Sequence, residues 1–197
     1  MVQPAGWIDT ALTSGPPIET IGTLGPAGTS SEQAALYFWA DRGRGGPPGI
    51  RLYDTYEEAG TALREGAVSH VVIANAYASV HSFYMDPSLR FAGAFLFDTP
   101  DYGIAVSPGH RVPAAARIAT HPAPVPLVAE LLPREYSVAE ITYATSTSAA
   151  ARKASSRETD LALTTRPAAK AHALEFISRT RPIRMLWSVF TLAGTDS

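Results

Sequence analysis

Thr23-Leu24-Gly25-Pro26-Ala27-Gly28-Thr29-Ser30-Ser31-Glu32-Gln33-Ala34-Ala35-Leu36-Tyr37-Phe38 joins an apolar run ending at Gly25 to a periodic segment that begins just after Gly28. That order predicts a strand, a tight turn and a helix. The hydroxyls of Thr29 and Ser30 fall where a helix has backbone N–H groups without intrahelical partners, so they can cap the helix or help to hold an anion. Gly28 lets the backbone approach such an anion with no side chain in the way. An ordinary capped helix and a ligand-contacting helix start both satisfy the pattern.

Outward from this stretch, residues 1–20 carry Pro4, Gly6, Gly15, Pro16 and Pro17 and read as a flexible N-terminal arm. Strands are expected at 21–24, 50–54 and 71–74, with helices at 31–41 and 55–65 between them. Alternation of this kind points to parallel pairing with helices on the sheet faces. Asn75 then falls beyond the carboxyl end of its strand, where α/β proteins collect ligands. Tyr77, His81 and Tyr84 follow at spacings that put them along one face of a helix or irregular loop lining the same place.

Strands at 91–97 and 102–107 are separated by Asp98-Thr99-Pro100-Asp101, and a fresh α/β series begins beyond them. Within it, 118–120 is a strand, 121–132 contains a helix whose first turn tolerates proline, and 140–145 is a strand. Ser146 and Thr147 then open a hydroxyl-capped helix, followed by a short strand at 161–163 and a helix at 167–174. The last stretch, 179–192, ends as a strand rich in aromatic and β-branched side chains that returns to the first lobe. The expected divisions are a first lobe over 21–104, a second over 105–178 and the return over 179–197. Two lobes joined by two crossings form a cleft, with the helix starts at Thr29 and Ser146 facing each other across it. Such a cleft suits a small anion.

Composition excludes several other classes. The 197 residues include 16 basic and 18 acidic side chains, a formal net charge of -2, and no basic stripe that would track nucleic acid. There is no cysteine, hence no thiol nucleophile, disulfide or thiolate metal site. The five histidines form no zinc-like pair, and neither a metal nor a cofactor is expected. No stretch reads as a membrane span or a signal peptide, so a soluble cytoplasmic protein without membrane partners is the expectation.

From 21 to 192 the chain resembles the catalytic domain of the prephenate dehydratase family. That family opens with Gly-Pro-x-Gly-Thr-Phe-Ser-Glu-x-Ala-Ala, which stands here as Gly25-Pro26-Ala27-Gly28-Thr29-Ser30-Ser31-Glu32-Gln33-Ala34-Ala35, with Ser30 in place of the phenylalanine. Its Pro-Ile-Glu-Asn-Ser segment falls on Val72-Ile73-Ala74-Asn75-Ala76, keeping only the asparagine of the three polar positions. Its Ser-His-Pro stretch corresponds to Thr120-His121-Pro122, and its Ser-Thr-x-x-Ala-Ala helix start to Ser146-Thr147-Ser148-Ala149-Ala150-Ala151. At the last strand the dehydratase Thr-Arg-Phe triplet is replaced by Ser188-Val189-Phe190, which removes a bidentate partner for an anion. The resemblance does not extend to the allosteric amino-acid-binding domain that usually follows.

A smaller branch is more similar: the prephenate decarboxylases of the bacilysin and anticapsin type. Leu52-Tyr53-Asp54-Thr55-Tyr56-Glu57-Glu58, Ala76-Tyr77, Phe83-Tyr84 and His121-Pro122-Ala123-Pro124 carry that likeness. It implies an α/β, two-lobed fold like that of prephenate dehydratases and periplasmic binding proteins, with an interlobe cleft. It also implies a cofactor-independent lyase of an antibiotic or non-proteinogenic amino-acid pathway, acting on prephenate as a homodimer, with a downstream isomerase or reductase as a possible associate.

The implied reaction removes the ring carboxylate and keeps the ring hydroxyl, giving an endocyclic dihydro-4-hydroxyphenylpyruvate. Thr29, Ser30, Asn75, Ser146 and Thr147 are candidates to position the substrate, Phe83, Trp187 and Phe190 to wall it, and Arg184, Arg181 and Arg179 to meet the carboxylates. His81, His121, Tyr77 and Tyr84 are candidate proton donors. Ser188 can stand in for the missing threonine, which keeps a diverged dehydratase making phenylpyruvate open, as does a non-catalytic module that binds small carboxylates.

Overall fold

The computed structural model describes residues 7–8, 17–43 and 46–194. The chain forms two units: 1–26, 31–98 and 184–197 make one, and 27–30 with 99–183 make the other. The main changeovers lie at 98/99 and 183/184, whereas the sequence pattern predicts divisions after 104 and 178. The strand that begins at Tyr102 pairs wholly within the second unit, which moves the first boundary upstream. Most of the arm expected over 1–20 lies outside the described residues.

The first unit contains β1 (Trp7–Ile8), β2 (Ile21–Leu24), α1 (Ser30–Arg42), β3 (Ile50–Tyr53), α2 (Tyr56–Arg64), β4 (His70–Ala74), α3 (His81–Met85) and β5 (Leu89–Asp98). The second contains β6 (Tyr102–Val106), β7 (Ala115–Thr120), α4 (Pro126–Leu131), β8 (Ser137–Tyr143), α5 (Thr147–Ser155), β9 (Leu161–Thr165), α6 (Arg166–Ala171) and β10 (Glu175–Phe176). The chain then re-enters the first unit as β11 (Arg184–Leu192).

The first sheet has the order β1-β5-β11-β4-β2-β3. As alternation of strand and helix predicts, β2 is parallel to β3 and β4. The sheet as a whole is mixed, because β11 inserts antiparallel between β4 and β5. Its two faces have different cores. Val72, Trp187 and Val189 meet Ala34, Ala35 and Phe38 of α1 on one face, while Val71, Ile73 and Phe190 meet Tyr56, Leu63 and Phe83 on the other. This is the two-residue period of a strand buried on both sides. It sends Trp187 and Ser188 to opposite faces.

The second sheet, β10-β6-β9-β7-β8, is likewise mixed, with β7 parallel to β8 and β9 and β6 antiparallel to β9. The helix expected within 121–132 is confined to α4, with Pro126 in its first turn, because the prolines before it cannot supply N–H groups to a longer helix.

The opening motif folds as read. α1 begins at Ser30, and Gly28 has φ 89°, a left-handed conformation that a side chain would strain. The Gly28 carbonyl accepts from Thr165 Oγ1 at 3.4 Å, which ties the turn to the start of α6. Thr55 caps α2 by accepting from the Glu58 N–H at 3.1 Å, and Ser146 caps α5 by accepting from the Ala149 N–H at 3.0 Å.

Candidate active site

In the first unit, polar side chains converge beyond the carboxyl end of β4. Asn75 continues that strand, and its N–H donates to the Leu186 carbonyl at 3.1 Å, which holds it against β11. Ser188 Oγ donates to Asn75 Oδ1 at 2.6 Å. The Tyr84 hydroxyl lies 2.5 Å from the same Ser188 oxygen. Because the single proton of Ser188 goes to Asn75, the phenol is the donor in the second bond. The result is a directed chain from Tyr84 through Ser188 to Asn75. Its surroundings are aromatic: Tyr84 meets Phe190 edge-on with centroids 4.9 Å apart and lies 5.6 Å from Phe91, while Phe83 packs on Phe190 at 5.7 Å.

A neighbouring cluster centres on Tyr56, at the first position of α2. Its hydroxyl accepts from the Ala74 N–H at 3.2 Å and shares a 2.7 Å hydrogen bond with Ser31 Oγ, so one phenol joins the end of β4 to the first turn of α1. The Tyr77 ring lies 4.9 Å from that of Tyr56, and its hydroxyl donates to Glu57. Burial, then the Glu57 carboxylate, raises the Tyr77 phenol above the usual tyrosine range. The expected common face for Tyr77, His81 and Tyr84 does not form. Tyr77 sits in a turn ahead of the five-residue α3, so it reaches Tyr56 while Tyr84 reaches Ser188. His81 is exposed at the first position of α3.

The second unit gathers hydroxyls at helix starts. Thr29, Ser30, Ser146 and Thr147 are all buried. Ser30 Oγ has no partner of hydrogen-bond geometry among the described residues. The Tyr102 phenol is still close enough that Ser30 partly offsets the rise in its pKa caused by burial. Ser146 Oγ spends a lone pair on its cap and keeps its proton to donate. Thr164 Oγ1 donates to the Thr147 carbonyl at 2.7 Å, bracing the first turn of α5 against β9.

His121, at the end of β7, accepts from the Ala123 N–H through Nδ1 at 3.3 Å, and burial pushes its pKa below the usual histidine value. Its proton therefore resides on Nε2 in the neutral form. Ser148 and His172 form a further pair at 3.0 Å, with the imidazole held toward neutrality by burial and by Arg152.

Two groups of candidates are placed elsewhere. Trp187 is 0% exposed, lies on the α1 face and donates its indole N–H to the Phe97 carbonyl at 3.1 Å. It is a core residue, separated from Ser188 by strand alternation. Arg184 pairs with Asp98 at 3.8 Å, and Arg179 and Arg181 both pair with Glu130, at 2.8 and 3.5 Å. Each of these three cations therefore already has a carboxylate neighbour. Tyr56, Ser31 and Glu57 join the cluster although the sequence alone does not mark them as site residues. The signal available is the tyrosine-acid phrase at 53–58 for Tyr56 and Glu57 and the opening motif for Ser31, and the partners they meet lie 18 to 25 residues away. Among the described residues no group of His, Asp or Glu could hold a metal ion, and no helix is long and apolar enough to cross a membrane.

With this geometry in view, similarity to known proteins has a definite meaning. The prephenate dehydratase family model matches residues 96–180. The chain is 37% identical over 179 residues to a prephenate decarboxylase of Planktothrix agardhii (strain NIVA-CYA 126/8), covering 89% of each chain. It is 34% identical over 179 residues to one from Bacillus subtilis, covering 87% of this chain and 85% of that one. The chain belongs to the prephenate decarboxylase family. Among solved structures, a prephenate dehydratase from Arthrobacter aurescens in complex with L-Phe superposes with a TM-score of 0.69 at 16% identity. That match covers 90% of this chain and 61% of the dehydratase. The periplasmic VFT2 domain of Bordetella pertussis BvgS superposes with a TM-score of 0.53 at 17% identity, covering 89% of this chain and 81% of that one. At such identities the likeness is one of fold: the prephenate decarboxylase family chain has the two-lobed α/β architecture, with a mixed sheet in each lobe, of dehydratases and periplasmic binding domains.

Proposed function

We propose that the chain catalyses non-aromatising decarboxylation of prephenate to an endocyclic dihydro-4-hydroxyphenylpyruvate. The observation that carries this reading is 37% identity, over 89% of both chains, to a protein named as a prephenate decarboxylase. Prephenate carries a carboxylate and the pyruvyl group on one quaternary ring carbon. When the carboxylate leaves as carbon dioxide, the electron pair moves into the ring diene and a distal ring carbon takes a proton. The ring itself is the electron sink, so this electron flow calls for no cofactor.

The proposed roles follow from the chemistry of each group. Thr29, Ser30, Ser146 and Thr147 stand at helix starts, which favour anionic groups. Phe83 and Phe190, expected as site walls, are buried in the core at 4% and 0% exposure and only back the exposed Tyr84 ring, which is the apolar group left to favour conversion of a carboxylate to neutral carbon dioxide. Of the four proton-donor candidates, Tyr77 and Tyr84 already donate to Glu57 and Ser188, which leaves the two histidines as the better assignments. A cytoplasmic homodimer serving a pathway to non-proteinogenic amino acids is part of the same reading.

The test is incubation of the pure protein with prephenate near neutral pH, followed by proton NMR against an enzyme-free control. Retained olefinic signals, a new ring methylene and a preserved carbinol proton are expected. Aromatic phenylpyruvate signals would favour the dehydratase reading, for which Ser188 at the threonine position is the one supporting residue. Unchanged prephenate with measurable binding would point to the carboxylate-binding module.

A further inference from the structure

Resting on that reading, the two reactions open to the prephenate ring can be compared by their proton. In both, the bond from the quaternary carbon to the carboxylate breaks, carbon dioxide leaves and one proton is consumed. In non-aromatising decarboxylation the pair moves through the diene, the proton bonds to a ring carbon and the C–O bond stays intact. In dehydration the pair completes the aromatic ring as the C–O bond breaks, and the proton goes to the departing hydroxide to make water. An acid beside the ring hydroxyl is therefore the element that a decarboxylase must lack.

Ser188 stands at the position of the dehydratase threonine, which the family resemblance implies assists departure of the hydroxide, and three observations remove its hydroxyl from that service. It is 0% exposed. Its proton is donated to Asn75 Oδ1 at 2.6 Å. Its lone pair receives the Tyr84 phenol at 2.5 Å. The Tyr84 ring is held in this position edge-on to Phe190 and beside Phe91, yet the residue remains 41% exposed, so it is the outer member of the chain. Having spent its proton inward, Tyr84 offers only lone pairs to a further partner.

We propose that Tyr84 is the residue that decides between the two reactions: its phenol covers Ser188 and presents the ring hydroxyl with a hydrogen-bond acceptor in place of an acid. Tyr84 here is a specificity-determining residue. Asn75 acts with it, because it holds the Ser188 proton in the opposite direction.

The experiment measures the ratio of phenylpyruvate to non-aromatic product by proton NMR at pH 8, with spontaneous aromatisation subtracted, for wild type, Tyr84→Phe, Tyr84→Ala and the double variant Tyr84→Ala with Ser188→Ala. Tyr84→Ala uncovers Ser188 and should raise the aromatic fraction at least about tenfold, the low end of what a positioned acid supplies. The added Ser188→Ala should return it to background. Tyr84→Phe keeps the ring packing, which guards against a variant that does not fold, and should raise the fraction by a smaller factor. An unchanged product ratio in both single variants while carbon dioxide release continues would overturn the role of Tyr84. So would a raised aromatic fraction that survives loss of Ser188. If the wild type releases no carbon dioxide from prephenate, the proposed function itself fails, independently of the variants.

Discussion

Two buried serines, one in each unit, are held in opposite ways. In the second unit, Ser146 bonds to a backbone N–H three residues ahead of it, and the bond serves the helix that Ser146 begins. In the first, Ser188 bonds to residues 104 and 113 positions away, on two other elements, and no single helix or strand requires either bond. A local cap is interchangeable with any residue of similar hydrogen-bonding capacity. A long-range chain of hydroxyls works only with those side chains at those places. Substituting Ser188 should therefore alter chemistry through two distant partners at once, whereas substituting Ser146 should first of all weaken the helix it caps.

This contrast is tested most severely at the two neighbours on β11. Trp187→Ala should cost about 3–5 kcal/mol of stability in urea titration, the usual loss for a large buried aromatic. A variant of unchanged stability with only weakened substrate binding would return Trp187 to the site wall and undo the separation of the two sheet faces.

Next in size is a pH effect on the first unit. His70 is 2% exposed, and burial, with Arg90 nearby, lowers its pKa to about 4. The unfolded chain then takes up a proton near pH 6.5 while the folded one does not, so this stability is complete above about 6.5 and declines toward pH 4. The full loss is about 3 kcal/mol. Urea midpoints measured between pH 7 and pH 4 should fall accordingly, and His70→Gln should flatten the dependence. An equally steep slope in that variant would move the titrating group elsewhere, with His121 of the second unit the first to examine because its pKa is lowered by burial as well.

Tyr56→Phe should then cost about 1–3 kcal/mol, because the Ala74 N–H and Ser31 Oγ both lose a buried partner. It should also lower turnover more than a purely thermal effect explains, since the end of β4 carries Asn75. The smallest effect is expected at the local cap: Ser146→Ala should cost about 1 kcal/mol in thermal unfolding, while Ser146→Asn should restore most of it. If Ser146→Asn were as unstable as Ser146→Ala, the cap would be doing more than its local geometry implies, and the contrast between the two serines would narrow.

Much of the fold was legible because its signals are short. Gly28 needs no partner to favour a left-handed turn, and Thr55 and Ser146 announce helices whose first turns follow at once. The parallel arrangement of β2, β3 and β4 was readable from alternation, but the antiparallel insertion of β11 was not, because nothing in residues 184–192 names the strands on either side. The same limit applied to the site. Asn75 could be picked out by its position after an apolar strand, whereas Tyr56 reads as one more core-edge aromatic until Ser31 and the Ala74 N–H are brought to its hydroxyl.

The opening strand, turn and helix, the capped helices, the two α/β series and the family motifs were all present in the linear chain, since each depends on neighbours within a few residues or on a contiguous pattern. That Trp187 and Ser188 face opposite ways into different cores, and that the proton of Ser188 is already committed, emerged only with the assembled sheet. The physical reason is that a strand's two-residue period assigns faces only once its neighbours are known, and a hydroxyl's role is set by which distant donor and acceptor reach it.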